Sequence, residues 1–251
     1  MYDRTKTYIK GFDEVIGEGL PKDQIILISG SAGTMKSSLS FYILYKNAIE
    51  NGTASIYVCF EEEENTFVRN MQSLGMDIEK TNGKVVIIGA TERSFLDERC
   101  EQMNAVGWIE SVKGDSVFLQ GLKFKIKRFT DVYNAELLVL DSLDSLVLLS
   151  KMDEPRDEIF KFFEWLRELK ITTIIIGETP ATHPILIENE GYSEDFLADG
   201  IIQLKMEKIN ELAFRRFITC VKMRAGEHSP DYFVLSYDNQ KMIFEVTKAI
   251  Y

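Results

Sequence analysis

Short apolar runs alternate with stretches of helical periodicity through the first two thirds of the chain. Buried strands are predicted by "QIILIS", "ASIYVCF", "KVVIIGA", "AELLVLD" and "TTIIIGE". Helices are predicted by "SSLSFYILYKNAIENG", which ends at Gly52, and by "ENTFVRNMQSLG", with Gly75 as its stop. Because strands alternate with helices, the pattern favours an α/β fold with a mostly parallel central sheet flanked by helices.

Residues 118–133 fit two patterns. Leu122, Phe124 and Ile126 alternate as in a strand, but apolar residues at helical spacing cover a longer span, so a helix is predicted. "RDEIFKFFEWLREL" predicts an amphipathic helix. "AELLVLDSLDSLVLL" is interpreted as a strand that runs into a loop.

The last third of the chain has a different pattern. "GIIQLKM", "RFITCVKM", "YFVLSYD" and "KMIFEV" predict strands separated by turn-rich pieces, which favours a C-terminal antiparallel extension of the sheet. No composition shift or linker marks a boundary. A single domain over residues 1–251 is therefore expected.

Composition narrows the possible functions. The net charge of −11 disfavours nucleic acid as the main partner, because phosphates need positive charge. No stretch has the roughly 20 apolar residues of a membrane span, and the N-terminus lacks a signal-peptide core, so a cytoplasmic protein is expected. Cys59, Cys100 and Cys220 form no C-x-x-C pair, and the two within apolar runs are predicted to be buried thiols. His183 and His228 are too few for a histidine-based metal site.

The stretch "IILISGSAGTMKSSLSFYIL" has the outline of a phosphate-binding loop, since it follows a predicted strand and opens a predicted helix. Lys36 would supply a charge for the β and γ phosphates of a nucleotide, and Ser37 a hydroxyl for magnesium. The alternative is a Gly/Ser turn that caps a helix and carries a solvated lysine. The predicted loop consists of Gly30, Ser31, Ala32, Gly33, Thr34, Met35, Lys36, Ser37 and Ser38.

Met35 stands where the usual pattern has its second glycine. If the backbone there is left-handed, the methionine costs about 1–2 kcal/mol. If the position is already helical, the cost is small and the side chain can pack against apolar neighbours. The sequence leaves both cases open.

Carboxylates follow two of the predicted strands. Asp141 ends "ELLVLD", at the sheet edge where ligands bind in parallel sheets, and is predicted to assist magnesium with Ser37. Its alternative role is that of a helix cap or turn residue. Glu61 and Glu62 follow "YVCF" at the same edge and are candidates for orienting water, although a run of four glutamates is usually a solvated turn or helix start.

Taken together, these segments resemble the KaiC branch of the RecA-type P-loop ATPases over nearly the full chain. The resemblance rests on five segments in the family's order, which are "IKGFDEVIGEGLPKDQIILISGSAGTMKSS", "IYVCFEE", "LLVLDSLDSL", "TTIIIGE" and "VKMRAGEHS". It implies a RecA-type core with ATP and Mg²⁺ as cofactors. Ala225 departs from the family, which has glycine there. The resemblance covers one such domain, whereas the family's circadian clock protein has two in tandem.

The resemblance also implies roles for matching residues. Glu61 would activate water with Glu62 beside it, and Glu178 would line the nucleotide site. Lys222, Arg224 and His228 would lie at a subunit boundary and reach the nucleotide of the neighbouring protomer. This arrangement implies a homo-oligomeric ring, commonly a hexamer, in which Arg224 acts like an arginine finger in trans.

Three functions follow from these expectations. The first is an ATP-binding ring protein that hydrolyses slowly and acts as a molecular switch on a protein partner that the sequence does not identify. The second is a RecA-like or RadA-like DNA-binding recombinase paralogue, which is disfavoured because residues 178–200 carry several acidic residues and neither Lys nor Arg. The third is a nucleotide-binding scaffold that has lost turnover through Met35.

Autophosphorylation like that of the clock protein's second domain is not expected. Alignment on "ADGIIQL" places Asp195 and Phe196 where that domain has adjacent hydroxyl residues. Ser193 is offset by about 7 Å in an extended chain. The better interpretation of Ser193 is a residue that caps a turn.

Overall fold

The structure is a computed structural model that describes residues 3–90, 117–152, 154–178, 197–210, 213–224 and 226–248. Its strands are β1 (Arg4–Thr5), β2 (Leu20–Pro21), β3 (Ile25–Gly30), β4 (Ser55–Cys59), β5 (Val85–Gly89), β6 (Leu137–Asp141), β7 (Thr172–Gly177), β8 (Gly200–Asn210), β9 (Ala213–Met223), β10 (Phe233–Asp238) and β11 (Ile243–Lys248). Its helices are α1 (Lys36–Asn51), α2 (Glu64–Ser73), α3 (Val117–Tyr133), α4 (Leu143–Ser150) and α5 (Pro155–Glu168), with a 3₁₀ turn at Ile78–Thr81.

Nine strands form one sheet in the order β11-β10-β9-β8-β3-β7-β6-β4-β5. The pairs from β8 through β5 are parallel, and the pairs from β8 to β11 are antiparallel. The expected α/β fold with a C-terminal antiparallel extension is therefore confirmed. Strand β3 lies between β7 and β8, and all six of its residues are buried, which explains its unbroken apolar run.

Helices cover both faces of the sheet and create two cores. One core joins α1 and α2 to residues near the N-terminus, with Phe12, Phe41 and Phe67 fully buried. The other core lies under α3, α4 and α5, with Leu122, Leu146 and Phe162 fully buried. The helix predicted at residues 118–133 is confirmed, because Leu119, Leu122 and Ile126 face this second core.

The loop expected after Asp141 is wrong, because the chain forms helix α4 there. Ser142 is its N-cap, and the Ser142 side chain accepts a hydrogen bond from the Ser145 backbone N–H at 3.3 Å. Leu143 and Leu146 are buried and form the face of α4 that packs on the core. No helix within these described ranges is long and apolar enough to cross a membrane.

Two of the three cysteines lie in described strands. Cys59 and Cys220 are free, buried thiols, as predicted, whereas Cys100 lies outside the described residues. Burial raises the pKa of Cys59 to about 11 and that of Cys220 to about 12. Both thiols are therefore protonated and unreactive near neutral pH.

Candidate functional site

The candidate phosphate loop connects the carboxyl end of β3 to the first turn of α1, at the edge where parallel sheets bind ligands. A Cβ added at Gly30 would lie 2.6 Å from the Leu204 carbonyl oxygen, so glycine is required there. Gly33 has a φ of +80°, which glycine also adopts without steric cost. Backbone N–H groups in such a loop can converge on an anion at the helix start.

Of the two backbone conformations that the sequence left open for Met35, the structure shows the left-handed one. Its backbone is left-handed, with φ 72° and ψ 29°, and it precedes the first residue of α1. The conformation costs about 1–2 kcal/mol relative to glycine. The side chain is half-buried and packs against the core beneath α1, which offsets part of that cost.

Lys36 is the most enclosed charge of the loop, with only 8% of its surface exposed. Its Nζ donates to the Gly30 carbonyl at 2.6 Å and to the Ser31 carbonyl at 3.1 Å. It also forms an ion pair with Glu178, which follows β7, at 3.0 Å. The ammonium therefore bonds to groups of its own chain that an anionic ligand can replace.

The other loop residues have simpler environments. The Thr34 hydroxyl donates to the Ser31 carbonyl at 2.7 Å, which closes the loop on itself. Ala32 is exposed, and Ser38 is half-buried in the first turn of α1.

Asp141 lies at the end of β6, directly beside the start of α1. Its carboxylate accepts hydrogen bonds from the Tyr57 hydroxyl at 2.5 Å and from the Ser37 hydroxyl. Burial is the largest influence and raises the pKa of Asp141, while these two hydrogen bonds oppose the rise. The pKa of Tyr57 is raised well above its usual value, first by burial and then by the nearby Asp141 charge.

Glu61 and Glu62 follow β4, which pairs with β6, so both lie near Asp141. Glu61 is exposed, and its Oε1 accepts hydrogen bonds from the Ser142 hydroxyl at 2.9 Å and the Ser145 hydroxyl at 2.8 Å. Glu62 is half-buried and accepts from the Asn70 amide at 2.9 Å. Burial and the Asp141 charge raise the pKa of Glu62.

Several site residues were missed by the sequence reasoning. Asp144 in the first turn of α4 accepts a hydrogen bond from the Glu178 backbone N–H at 2.9 Å and fixes the end of β7. Arg216 in β9 donates to the Gly33 carbonyl at 3.0 Å. Tyr57 could have been noticed, because a buried tyrosine in an apolar strand needs a partner for its hydroxyl. Arg216 carries no such signal, since only the strand order brings it to the loop.

Lys222 and Arg224 lie at the other end of β3 from the phosphate loop. Lys222 Nζ donates to the Ala198 carbonyl at 2.8 Å, and Arg224 Nη1 donates to Asp199 at 2.9 Å. Asp199 in turn contacts Ile25, the first residue of β3. The length of β3 separates this end from Gly30 by about 17 Å. The structure therefore does not bring these side chains to the phosphate loop of their own chain.

The remaining predicted positions lie in an irregular segment or outside the described residues. His228 is half-exposed and follows β9 in a segment without regular structure. Ser193, Asp195 and Phe196 lie outside the described residues, as do His183 and Ala225. The same holds for most of residues 178–200, where DNA contacts were considered.

The oxygen donors at the loop suit magnesium. Ser37 and Asp141 provide one hydroxyl and one carboxylate side by side, and Mg²⁺ in nucleotide sites uses one or two such protein ligands with phosphate and water. Within the ranges that the structure describes, no group of three or more His, Cys, Asp or Glu side chains could hold a metal ion. The donor set therefore fits a metal that arrives with a nucleotide.

A phosphate loop on the central strand of a mostly parallel sheet, with a carboxylate beside its first helical turn, defines a RecA-type P-loop protein. Residues 5–248 match the family described as "ATPase: KaiC". The chain therefore belongs to the KaiC ATPase family, as the sequence resemblance indicated.

Individual relatives agree with this assignment. The circadian clock protein KaiC2 of Synechocystis is 27% identical over 248 residues, a stretch that covers 97% of this chain and 40% of that protein. A UPF0273 protein of Sulfurisphaera tokodaii is 30% identical over 229 residues, covering 90% of this chain and 76% of that protein. The crystal structure of a KaiC-like protein from Pyrococcus horikoshii has a TM-score of 0.78 and 27% identity, and the match covers 98% of this chain and 100% of that one. The chain thus spans less than half of the clock protein's length.

Proposed function

We propose that this protein binds MgATP and hydrolyses it slowly as an oligomeric molecular switch. The observation that carries the proposal is the convergence of Lys36, the Ser37–Asp141 pair and two glutamates at one edge of the sheet. Family membership supports ATP as the nucleotide.

Each residue has a distinct part in the proposed reaction. The ammonium of Lys36 exchanges Glu178 for the β and γ phosphates, while loop N–H groups hold the phosphate oxygens. Ser37 and Asp141 would hold magnesium, which would supply positive charge beside the phosphates. Glu61, with Glu62 beside it, orients the attacking water, and the raised pKa of Glu62 suits a group that accepts a proton.

Subunit assembly completes the proposed site. Because Arg224 and Lys222 lie about 17 Å of strand away from their own phosphate loop, they can serve only a nucleotide bound by another protomer. A closed ring, hexameric by resemblance to the family, would place them there. Arg224 would then stabilise the transferred phosphoryl group in trans.

The test of hydrolysis is a double substitution that preserves shape. Glu61→Gln with Glu62→Gln should lower phosphate release by roughly 10²–10⁴-fold, the range for loss of a general base, while MgATP binding measured by calorimetry persists. Glu79→Gln, at an exposed position in the 3₁₀ turn, is the control for loss of a surface carboxylate. Turnover that survives the double change would contradict the assignment of the glutamates.

Assembly has its own test. Protomers with the paired glutamine substitutions are mixed with Arg224→Ala protomers, each inactive alone. Some interfaces in the mixed ring combine intact glutamates from one protomer with an intact arginine from its neighbour, so activity should partly recover. A protein that stays monomeric with MgATP in light scattering would refute the ring.

The second candidate is a nucleotide-binding scaffold without turnover, and the left-handed Met35 favours it. A residue that strains the phosphate loop can leave binding intact while it displaces the γ-phosphate from the position needed for attack. Phosphate release measured beside ATP binding in the unmodified protein separates the two candidates.

A further inference from the structure

Asp199 forms an unusual junction at the amino end of β3. Only 7% of its surface is exposed, and its side chain is bonded on both oxygens. Oδ2 accepts the Ile25 backbone N–H at 3.1 Å, and Oδ1 accepts from Arg224 Nη1 at 2.9 Å. The Asp199 carbonyl also accepts the Arg224 backbone N–H at 2.9 Å. Asp199 therefore fixes both the main chain and the side chain of Arg224.

A second arginine stands beside the same carboxylate. Arg167 of α5 lies 3.8 Å from Asp199 Oδ1 and donates to the Leu197 carbonyl. Arg167 also pairs with Glu164 of the same helix at 2.8 Å, so its charge is balanced mainly on α5. Arg224, at 2.9 Å, is therefore the nearer of the two arginines to the Asp199 carboxylate.

The exposure of the two partners differs in a useful way. The Asp199 side chain is 10% exposed, whereas the Arg224 side chain is 51% exposed. One edge of the guanidinium is thus tied to the protein while about half of the side chain faces outward. An arginine that is oriented before it meets its ligand loses less rotamer entropy on binding.

We infer that Asp199 is a positioning residue for the trans-acting arginine. It holds Arg224 in the direction of a neighbouring protomer's nucleotide and anchors it to the first residue of β3. The inference rests on the proposed role of Arg224 and extends it to the carboxylate that binds its guanidinium.

The test is Asp199→Asn. The asparagine oxygen can still accept the Ile25 N–H, but the amide then presents N–H groups to Arg224 and cannot pair with it. We expect kcat for ATP hydrolysis to fall about tenfold, as for lost orientation of one catalytic group, with the KM for ATP unchanged. Arg224→Ala should lower kcat more, and the double variant should match Arg224→Ala alone.

The double variant separates positioning from general support of the fold. If the two losses in kcat multiply, Asp199 acts independently of Arg224 and the inference is overturned, while the role of Arg224 stands. If Arg224→Ala turns over ATP at the unmodified rate, the trans-arginine proposal fails, and the inference falls with it.

A control addresses stability. Asp13 is a half-buried aspartate between β1 and β2 whose carboxylate accepts the Thr7 backbone N–H at 2.9 Å. Asp13→Asn should leave kcat unchanged, and its melting temperature is measured beside that of Asp199→Asn. If Asp13→Asn lowers kcat as much as Asp199→Asn does, the loss at Asp199 reflects weakened folding, and the inference is overturned.

Discussion

Each end of β3 has a buried charged side chain beside it, and the partners of these two side chains differ in kind. At the carboxyl end, the Lys36 ammonium bonds to two loop carbonyls and Glu178, all of which a phosphate could replace. At the amino end, the Asp199 carboxylate is bonded by a backbone N–H and Arg224 of its own chain. The comparison suggests that one end exchanges partners when nucleotide binds, while the other keeps them.

The largest effect is expected from a substitution of Lys36, at the carboxyl end of β3. Lys36→Ala removes the buried charge meant for the β and γ phosphates, and loss of one or two charged hydrogen bonds should weaken MgATP binding by roughly 100-fold. Calorimetry measures the change. Lys22→Ala, which removes an exposed lysine paired with Glu136, is the matched control and should bind normally. Unchanged affinity in Lys36→Ala would contradict the phosphate-loop assignment.

A smaller effect is expected from Glu178→Gln, which tests whether Lys36 exchanges Glu178 for phosphate when nucleotide binds. Glu178→Gln removes the carboxylate that competes with phosphate for Lys36, so MgATP should bind up to about tenfold tighter. Weaker binding in Glu178→Gln would mean that Glu178 supports the nucleotide instead of competing with it.

Asp141 tests whether the site is built at the expense of stability. Because burial raises its pKa above the ordinary 3.8, the folded protein holds this proton more tightly than the unfolded chain does. Stability should therefore fall as pH rises through the interval between the two pKa values. Asp141→Asn should remove that fall and raise the melting temperature of the nucleotide-free protein, by about 2–4 °C for each kcal/mol gained.

The same variant should lose the effect of magnesium on ATP affinity, since Asn is a poorer magnesium ligand. Thermal melts across pH, with and without MgATP, measure both changes. A lower melting temperature for Asp141→Asn at neutral pH would show that the ionised carboxylate stabilises the fold.

Met35→Gly should have the smallest effect. Relief of the left-handed backbone gains about 1–2 kcal/mol, but glycine loses side-chain packing and costs about 0.5–1 kcal/mol more in backbone entropy. The melting temperature should shift by no more than about 4 °C. ATP affinity should stay within about threefold, since the free loop already has its left-handed turn. A large rise in phosphate release would identify Met35 as a brake on hydrolysis.

Sequence pattern predicted most of the fold because buried parallel strands are unbroken apolar runs. The helix at 118–133 was predicted by its longer period, whereas α4 was missed because "DSLDSLVLL" continues an apolar strand without a glycine or proline between them. Ser142 as N-cap was the available signal.

The candidate site divides in the same way. Lys36 and Ser37 belong to one short motif, so their proximity follows from the chain itself. The other contacts join separate strands, since Tyr57 lies in β4, Arg216 lies in β9 and Asp199 directly precedes β8. Only the order of strands in the sheet brings these residues to their partners. Their roles depend on contacts between residues distant in sequence, which one sequence does not reveal.

The buried thiol of Cys59 can report how often the sheet edge at the candidate site opens. Cys59 is the last residue of β4 and pairs with Asp141 across the sheet. With its pKa near 11 and its surface covered, it can react with an alkylating reagent only when this edge opens. The rate of alkylation at Cys59, followed by peptide mass analysis, therefore measures how often the structure around Asp141 opens locally. MgATP bound at this edge should lower the alkylation rate of Cys59.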